Sequence, residues 1–422
     1  MTEELYGMYT AILTEELVPA MGCTEPIALA YAAARAREVL GDEPDRILAR
    51  CSGNMIKNVR CVQIPHSGGM TGIEAAVCLG AFGGDAARRM EVLESVTGPV
   101  RQQAADFIAA GHCKVEFLDS KIPLHFIVEL CHGTDTVAVE VRYAHTNIVS
   151  ILKNGESVFS GGEGQTGQAV QTDRSKLTID SIKEYADTVP LETIRPIFER
   201  QIRCNMEIAY EGMSGDYGVG IGRMLRTAYP DSTFTRMRAY AAAASEARMA
   251  GCDMPVIINS GSGNQGIASS VPVIVYAREN FLPAEKLYRA LAFSGLLTVH
   301  QKEYIGKLSA FCGAVSASCA AGAAITYLDG GTPDQIKATI DNTLANIPGI
   351  ICDGAKASCA AKIAASLDAA MLAHHLAMAG RSYGAHNGIL REDADETISC
   401  VGYIGKEGMR ETDREIIRLM LQ

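Results

Sequence analysis

The sequence predicts an α+β fold, in which an N-terminal α/β region with a mixed sheet precedes a largely all-helical domain. From about residue 46 to 165, short segments rich in β-branched residues partly alternate in polarity, as strands do. After about residue 175, long amphipathic or Ala-rich segments replace them, and such faces favour tight helix packing. We therefore predict two domains, comprising residues 1–170 and 171–422.

The N-terminal region begins with helical sequence from residue 4 to 40, interrupted near Pro19 and Gly22. Thr24 is the predicted N-cap of the second helix, with Pro26 in its first turn. This helical segment can pack on the second domain. Strands are predicted at ILARCS, KVEFLDS, LHFIVELC, DTVAVEVRYA, NIVSILK and SVFSG, with an Asn-Gly hairpin turn before the last.

The remaining elements are predicted to be helices and one loop. Two helices, GIEAAVCLGAF and DAARRMEVLESV, interrupt the strands, and the Gly-rich run at 160–168 is a linker or loop. The helices of the second domain include SIKEYADTV, LETIRPIFERQIRCNMEIAYEGM, TRMRAYAAAASEARMAG and GAKASCAAKIAASLDAAMLAHHLAMAG. The charge-free stretch from Leu308 to Leu328 is long enough to cross a bilayer. It consists mostly of small residues, so we predict a central helix of a soluble domain.

The composition disfavours several classes of function. The net charge of −11 disfavours binding to nucleic acid or to an anionic membrane. The N-terminal segment MTEELYGMYTAILTEELVPA is acidic and has no basic segment, so we expect no secretory signal and a cytoplasmic protein. In a reducing compartment the 13 cysteines are not expected to form disulfides. Each is then a buried apolar residue, a reactive thiol or a metal ligand.

Cys23 lies directly before a predicted helix start, in the segment GCTEP. The positive end of a helix dipole is expected to lower the pKa of such a thiol and to make thiolate available near neutral pH. A thiolate there can act as a base, a nucleophile or a ligand. The alternative is a buried cysteine at a chain reversal.

A Gly-rich turn, NSGSGNQG at 259–266, follows the apolar run MPVIIN. Such turns expose backbone N–H groups that suit an anion. The turn lacks both the Lys of a Walker loop and the setting of a dinucleotide fingerprint. The short polar side chains of Ser262, Asn264 and Gln265 favour a carboxylate. The alternative is an ordinary loop between helices.

Cys312, Cys352 and Cys359 are candidate metal ligands. Three thiolates can hold three irons of a cubane cluster and leave the fourth iron open as a Lewis acid. The spacing alone is not specific, because cysteines in Ala-rich helices are usually packing residues and Cys319 is an equal candidate. Weaker polar signals lie beside turns at Asn54, His66, His145 and Asn147, and elsewhere at His300 with Lys307, His374, His375 and His386.

Together these segments resemble a known family. The similarity is to the L-cysteine desulfidases of the UPF0597 type, which belong with the α-chain domain of the iron–sulfur L-serine dehydratases. It extends from about residue 5 to 405. The segments that carry it, in this order, are GCTEPIALA at 22–30, SGNMIKNV at 52–59, NSGSGNQGI at 259–267, FCGA around Cys312 and ICDGAKASCAAK at 351–362.

The resemblance implies a carbon–sulfur lyase that works without pyridoxal phosphate and converts L-cysteine and water to pyruvate, ammonia and hydrogen sulfide. It implies an oxygen-sensitive [4Fe-4S] cluster with one open iron, held by Cys312, Cys352 and Cys359, and Cys23 as the proton-abstracting base. The catalytic site would lie between the two halves. As substrate contacts we predict Ser262, Asn264 and Gln265, and, from the N-terminal region, Asn54, His66 and His145.

Several alternatives remain. An iron–sulfur L-serine dehydratase would share the cluster and the base, but in the family it carries a longer C-terminal tail with an extra cysteine. The segment GMRETDREIIRLMLQ contains none, which favours the desulfidase. A pyridoxal-dependent lyase with Lys307 as its Schiff-base lysine, and a cluster-based redox or iron sensor, are more distant. A small amino acid is the expected partner, and the Ala-rich helices could support a homodimer.

Overall fold

The computed structural model describes residues 1–161, 172–306 and 308–421. The α+β prediction is confirmed, since a six-stranded mixed sheet lies in the N-terminal half and helices form most of the C-terminal half. The predicted domain boundary at residues 170 and 171 lies outside the described residues, as do most of the predicted loop at 160–168 and the candidate Schiff-base residue Lys307.

The strands of the described residues are β1 (Pro19–Met21), β2 (Arg46–Cys51), β3 (Cys113–Phe117), β4 (His125–His132), β5 (Asp135–Arg142), β6 (Ile148–Lys153), β7 (Glu156–Ser160) and β8 (Pro255–Ile257). Strands β2 to β7 match the predicted segments, whereas the short strands β1 and β8 were not predicted. The large sheet has the order β3-β2-β4-β5-β6-β7, with β2 and β3 parallel and the other neighbours antiparallel. Asn154 and Gly155, both at positive φ, form the predicted turn between β6 and β7.

The helices of the N-terminal half require two corrections. They are α1 (Glu3–Glu16), α2 (Thr24–Leu40), α3 (Gly53–Val59), α4 (Gly72–Gly83) and α5 (Gly98–Ala109). The N-cap of α2 is Cys23, and Thr24 is its first helical residue. The helix predicted at DAARRMEVLESV is wrong, because only Ala86–Glu91 forms a short 3-10 helix and Arg89 within it has a positive φ.

The C-terminal half is built from helices around a common core. They are α6 (Ile179–Thr188), α7 (Leu191–Ser214), α8 (Ile221–Ala228), α9 (Thr233–Met249), α10 (Gly263–Glu279), α11 (Ala284–Ile305), α12 (Gly313–Leu328), α13 (Pro333–Asn346), α14 (Cys359–Met378), α15 (Ala394–Tyr403) and α16 (Arg410–Leu421). Within the charge-free stretch predicted as a helix from Leu308 to Leu328, only Gly313–Leu328 is helical, and it forms α12. Among the described residues, no helix combines the length and apolar character needed to cross a membrane.

Two large hydrophobic clusters form the core. One gathers the C-terminal helices together with α1, and the other gathers α2, α4 and the sheet. β1 pairs antiparallel with β8, with Pro19 opposite Ile257. This pairing ties the segment that leads into Cys23 to the segment that leads into the Gly-rich turn, and so joins the two clusters at the candidate site.

Candidate active site

A cavity of about 130 Å³ is lined by residues of both hydrophobic clusters. The N-terminal ends of four helices, α2, α10, α12 and α14, contribute to its wall. The first N–H groups of a helix have no intrahelical acceptor, and the helix dipole is positive at that end. The cavity therefore favours anionic groups.

Eight of the ten predicted site residues line this cavity. They are Cys23, His145, Ser262, Asn264, Gln265, Cys312, Cys352 and Cys359. Asn54 and His66 lie outside the lining. Asn54 Nδ2 donates to Asp413 Oδ2 over 2.8 Å, and the backbone N–H of His66 donates to Asp253 Oδ1 over 2.8 Å.

The three candidate ligand cysteines reach the cavity from separate segments. Cys312 is the N-cap of α12, Cys352 lies in the loop after α13, and Cys359 is the first residue of α14. The backbone N–H of Cys312 donates to Ile350 O over 2.9 Å, and that of Cys352 donates to Ala310 O over 2.6 Å. These bonds hold the first two segments side by side. Cys319 is fully buried in α12 and does not line the cavity.

Lys302 lines this part of the cavity together with the thiols, and Lys57 and Lys362 act on Cys352 from outside the lining. The hydrogen bond with Cys312 lowers the pKa of Cys352 to about 5 against the effect of burial, and the charges of Lys57 and Lys362 act in the same direction. The same bond, together with burial, raises the pKa of Cys312. Burial lowers the pKa of Lys302 to about 8, although Cys352 and Cys312 oppose that shift. The site therefore stabilises a thiolate and places cations near it.

The three cysteines fit a cluster better than a single metal ion. In residues 1–161, 172–306 and 308–421, no three His, Cys, Asp or Glu side chains stand close enough to bind one ion. In a cubane each cysteine binds a different iron, so the sulfurs stand farther apart than the ligands of a single ion. Soft thiolate donors beside one cavity, with lysines near them, suit an iron–sulfur cluster.

Cys23 and Glu25 form a buried hydrogen-bonded pair at the start of α2. Cys23 Sγ donates to Glu25 Oε2 over 3.0 Å, Thr24 Oγ1 donates to the same oxygen over 3.1 Å, and Asn58 Nδ2 donates to Oε1 over 3.1 Å. The expected lowering of the thiol pKa is wrong here, because burial and the charge of Glu25 raise the pKa of Cys23 well above its usual value.

Glu25 carries the negative charge of this pair at rest. Burial acts to raise the pKa of its carboxyl, but the charge of His145 and the hydrogen bond from Cys23 hold that pKa below its usual value. The proton therefore lies on the sulfur of Cys23. A base at this position needs a route by which the thiol proton can leave.

The Gly-rich turn is held by bonds within the protein. Thr24 Oγ1 donates to Gly261 O over 3.1 Å, which joins the turn to the start of α2. Ser260 has a φ of 50°, a strained conformation for a residue with a side chain, and its hydroxyl donates to Asn259 Oδ1 over 2.8 Å. Gly266 permits the close approach of α10 to β8, because an added Cβ would overlap a carbonyl oxygen of β8. This glycine therefore serves packing.

The side-chain amides of Asn264 and Gln265 in the turn have different environments. The side chain of Gln265 lies against Gly313 at the start of α12, and its buried Oε1 has no hydrogen-bond partner among the described residues. Asn264 Oδ1 accepts from Ser245 Oγ and from Arg248 Nη1, each over 3.1 Å. Gln265 is therefore available to a ligand, whereas the carbonyl of Asn264 is used within the protein.

Sequence reasoning missed several polar residues of the lining, among them Glu25, Asn58, Arg248 and Lys302. Glu25 and Asn58 stand inside the motifs already quoted, and a carboxylate two residues after a candidate base was a usable signal. Arg248 and Lys302 lie on helices with no local motif. Only the assembled fold brings them to the cavity.

Comparison with known proteins identifies the family. A family model described as "Serine dehydratase alpha chain" matches residues 88–418. This span includes the three candidate ligand cysteines and excludes Cys23. The class indicated is therefore a lyase related to the serine dehydratases.

Full-length relatives carry the name "UPF0597 protein". One from Desulfitobacterium hafniense is 46% identical over 419 residues, covering 99% of this chain and 97% of the relative. One from Lachnoclostridium phytofermentans is 46% identical over 417 residues, covering 99% and 100%. One from Treponema denticola is 45% identical over 420 residues, covering 98% and 97%. The chain belongs to the UPF0597 proteins of the serine dehydratase alpha-chain family.

Proposed function

We propose that this protein is an L-cysteine desulfidase that converts L-cysteine and water to pyruvate, ammonia and hydrogen sulfide. One observation carries the proposal: Cys23, Cys312, Cys352 and Cys359, which are distant in sequence, line one cavity. Family membership supports a lyase related to the serine dehydratases. The relatives' names do not distinguish cysteine from serine as the substrate.

Cys312, Cys352 and Cys359 would hold a [4Fe-4S] cluster, and pyridoxal phosphate would not be needed. When bound, the cluster supplies a thiophilic Lewis acid at the iron that has no protein ligand, which suits a departing sulfur. The nearby lysines Lys57 and Lys362 offset the negative charge of the thiolates.

Cys23 and Glu25 would remove the Cα proton together. This proton is weakly acidic, so its removal needs a base within about 3 Å. As the sulfur of Cys23 takes the Cα proton, its own proton passes to Glu25 Oε2, 3.0 Å away. Asn58 and Thr24 hold that carboxylate in position.

The electron pair of the broken Cα–H bond then forms the Cα–Cβ double bond, and the Cβ–S bond breaks with its electrons on sulfur. Hydrosulfide leaves, and protonation gives hydrogen sulfide. The aminoacrylate that remains isomerises to an imine, and water hydrolyses the imine to pyruvate and ammonia. The favourable charge for the substrate carboxylate comes from the helix N-termini around the cavity.

Anaerobic purification with iron and sulfide analysis, followed by assays on both amino acids, tests the proposal. We expect sulfide release from L-cysteine to exceed pyruvate release from L-serine. The family description favours L-serine as the second candidate, and faster turnover of L-serine would establish it. An iron-free protein that is active with bound pyridoxal phosphate would contradict both.

Single substitutions test the ligands against a matched control. Cys312→Ala, Cys352→Ala and Cys359→Ala are each expected to lower the iron content and abolish turnover. Cys319→Ala removes a buried thiol outside the cavity, and this variant should keep its iron. Full iron content and activity in all three ligand variants would refute the assignment.

Further predictions from the sequence concern the location, the partners and the oligomeric state of the protein. We infer a cytoplasmic protein whose partner is a small amino acid and which binds neither nucleic acid nor membrane. A homodimer stays a prediction, and light scattering during size-exclusion chromatography measures it.

A further inference from the structure

Among the buried arginines of the described ranges, Arg248 lacks a carboxylate at ion-pair distance. Arg174 Nη2 lies 2.5 Å from Glu16 Oε1, and Arg238 Nη1 lies 3.3 Å from Asp368 Oδ1. Arg248 is only 2% exposed and lines the cavity. Burying a charge without an anion is costly, so a buried arginine on a cavity wall is suited to an anionic ligand.

Two contacts fix the guanidinium of Arg248. Nη1 donates to Asn264 Oδ1 over 3.1 Å, and Ser245 Oγ donates to the same oxygen. The group also packs against Gly263, where an added Cβ would overlap Nε. The buried Nε has no acceptor among the described residues. A guanidinium binds a carboxylate through charge-assisted N–H groups, and Arg248 carries such a group at the cavity wall.

Two cations of the cavity lining, Arg248 and Lys302, act on different residues. The charge of Arg248 acts on Cys23 and Glu25, whereas the thiols that act on Lys302 are Cys352 and Cys312. The carboxylate of an amino acid is bonded directly to Cα. A carboxylate held by Arg248 therefore brings the Cα proton close to Cys23.

We propose that Arg248 binds the α-carboxylate of the substrate and that Asn264 is a positioning residue for its guanidinium. This inference rests on the proposed function and deepens it, because it names the group that recognises the amino acid. It differs from the expectation that the side chain of Asn264 contacts the carboxylate.

The test compares L-cysteine with L-cysteine methyl ester on the iron-loaded enzyme. Arg248→Gln should lower kcat/KM for L-cysteine by about 10- to 150-fold, the range for hydrogen bonds to a charged group, mainly through KM. The same substitution should change kcat/KM for the methyl ester only slightly. The matched control is Arg238→Gln, which removes a buried arginine of the same helix and should leave the preference for the acid unchanged.

Two further variants keep the test decisive if Arg248→Gln folds poorly. Asn264→Ala retains the cation, and it should give a smaller loss that is again confined to the acid. Lys302→Gln tests the competing cation. Equal losses on acid and ester in the Arg248 and Asn264 variants, or an acid-specific loss in Lys302→Gln alone, would overturn the proposal.

A binding assay separates this inference from the proposed function. If the iron-loaded wild type turns over neither L-cysteine nor L-serine, the proposed function fails. Calorimetry with 3-mercaptopropionate and with ethanethiol then compares ligands with and without the carboxylate. Tighter binding of 3-mercaptopropionate to the wild type than to Arg248→Gln supports Arg248, and equal affinities overturn its role.

Discussion

The buried ion pair of Lys57 and Asp413 predicts how the C-terminal helix α16 is held. Lys57 Nζ lies 2.5 Å from Asp413 Oδ1, and the side chain of Lys57 is only 1% exposed. Asp413 Oδ2 also accepts from Asn54 Nδ2 over 2.8 Å. Removing the carboxylate of Asp413 therefore leaves two donors of α3, Asn54 Nδ2 and Lys57 Nζ, without this acceptor. The Lys57 ammonium is then a buried charge without its ion-pair partner.

Asp413→Ala should lower the free energy of unfolding by about 3–5 kcal/mol, the usual cost of breaking a buried ion pair from one side. Removing both charges with Lys57→Met and Asp413→Leu should recover most of that loss. Glu415→Ala is the matched control on the same helix. Its partner Arg418 lies 2.6 Å away, but both side chains are more than half exposed, so we expect a loss of only about 0–1 kcal/mol.

Urea unfolding followed by circular dichroism measures these differences. Amide hydrogen exchange shows where they arise, and Asp413→Ala should speed exchange in α16 and α3 before the rest of the chain. If Asp413→Ala and Glu415→Ala lose the same small amount, or if the double variant is as unstable as the single one, the ion pair does not anchor α16.

Three other predictions address the base, one buried acid and one helix contact. Glu25→Gln should retain iron but lower kcat by about 10²–10⁴-fold, because the thiol proton loses its acceptor, and unchanged turnover would exclude the relay. Burial raises the pKa of Asp341 to about 6, so the folded state binds this proton more tightly than the unfolded chain, and stability should fall by up to about 3 kcal/mol as pH rises from about 4 to 6. Asp341→Asn should flatten that part of a pH series of urea midpoints, and an unchanged slope would contradict the assignment. Gly80→Ala should cost about 1–3 kcal/mol because its Cβ would overlap Ala30 O across the contact between α2 and α4, whereas Gly7→Ala, in open space on α1, should be neutral or stabilising in the same measurement.

The local patterns predicted the strands of the large sheet because strand alternation and turn chemistry act over a few residues, but they did not predict β1, β8, α3 or α5. The turn at Asn154 and Gly155 is an example, since its sequence requires positive φ at both positions. The helix predicted at DAARRMEVLESV failed because helix propensity is a weak preference that tertiary context overrides. The positive φ of Arg89 ends any α-helix there.

The site was less accessible to local reasoning because its contacts join distant segments. Asn54 was predicted to face a ligand, but Asp413, 359 residues away, takes its amide. Cys312 and Cys319 are alike in sequence setting, yet one caps α12 at the cavity and the other is buried, where burial raises its pKa to about 12. Burial likewise outweighs the helix dipole at Cys23.

The pairing of β1 with β8 constrains the order of events as the chain is synthesised. Pro19 meets Ile257, so the first strand leaves the ribosome about 240 residues before its partner. At about 5–20 residues per second, that delay is roughly 10–50 s. Throughout this interval Cys23 lacks the segment that encloses it, and Cys312, Cys352 and Cys359 are synthesised later still. The proposed cluster would therefore be inserted at the final stage of maturation, after nearly the whole polypeptide has emerged.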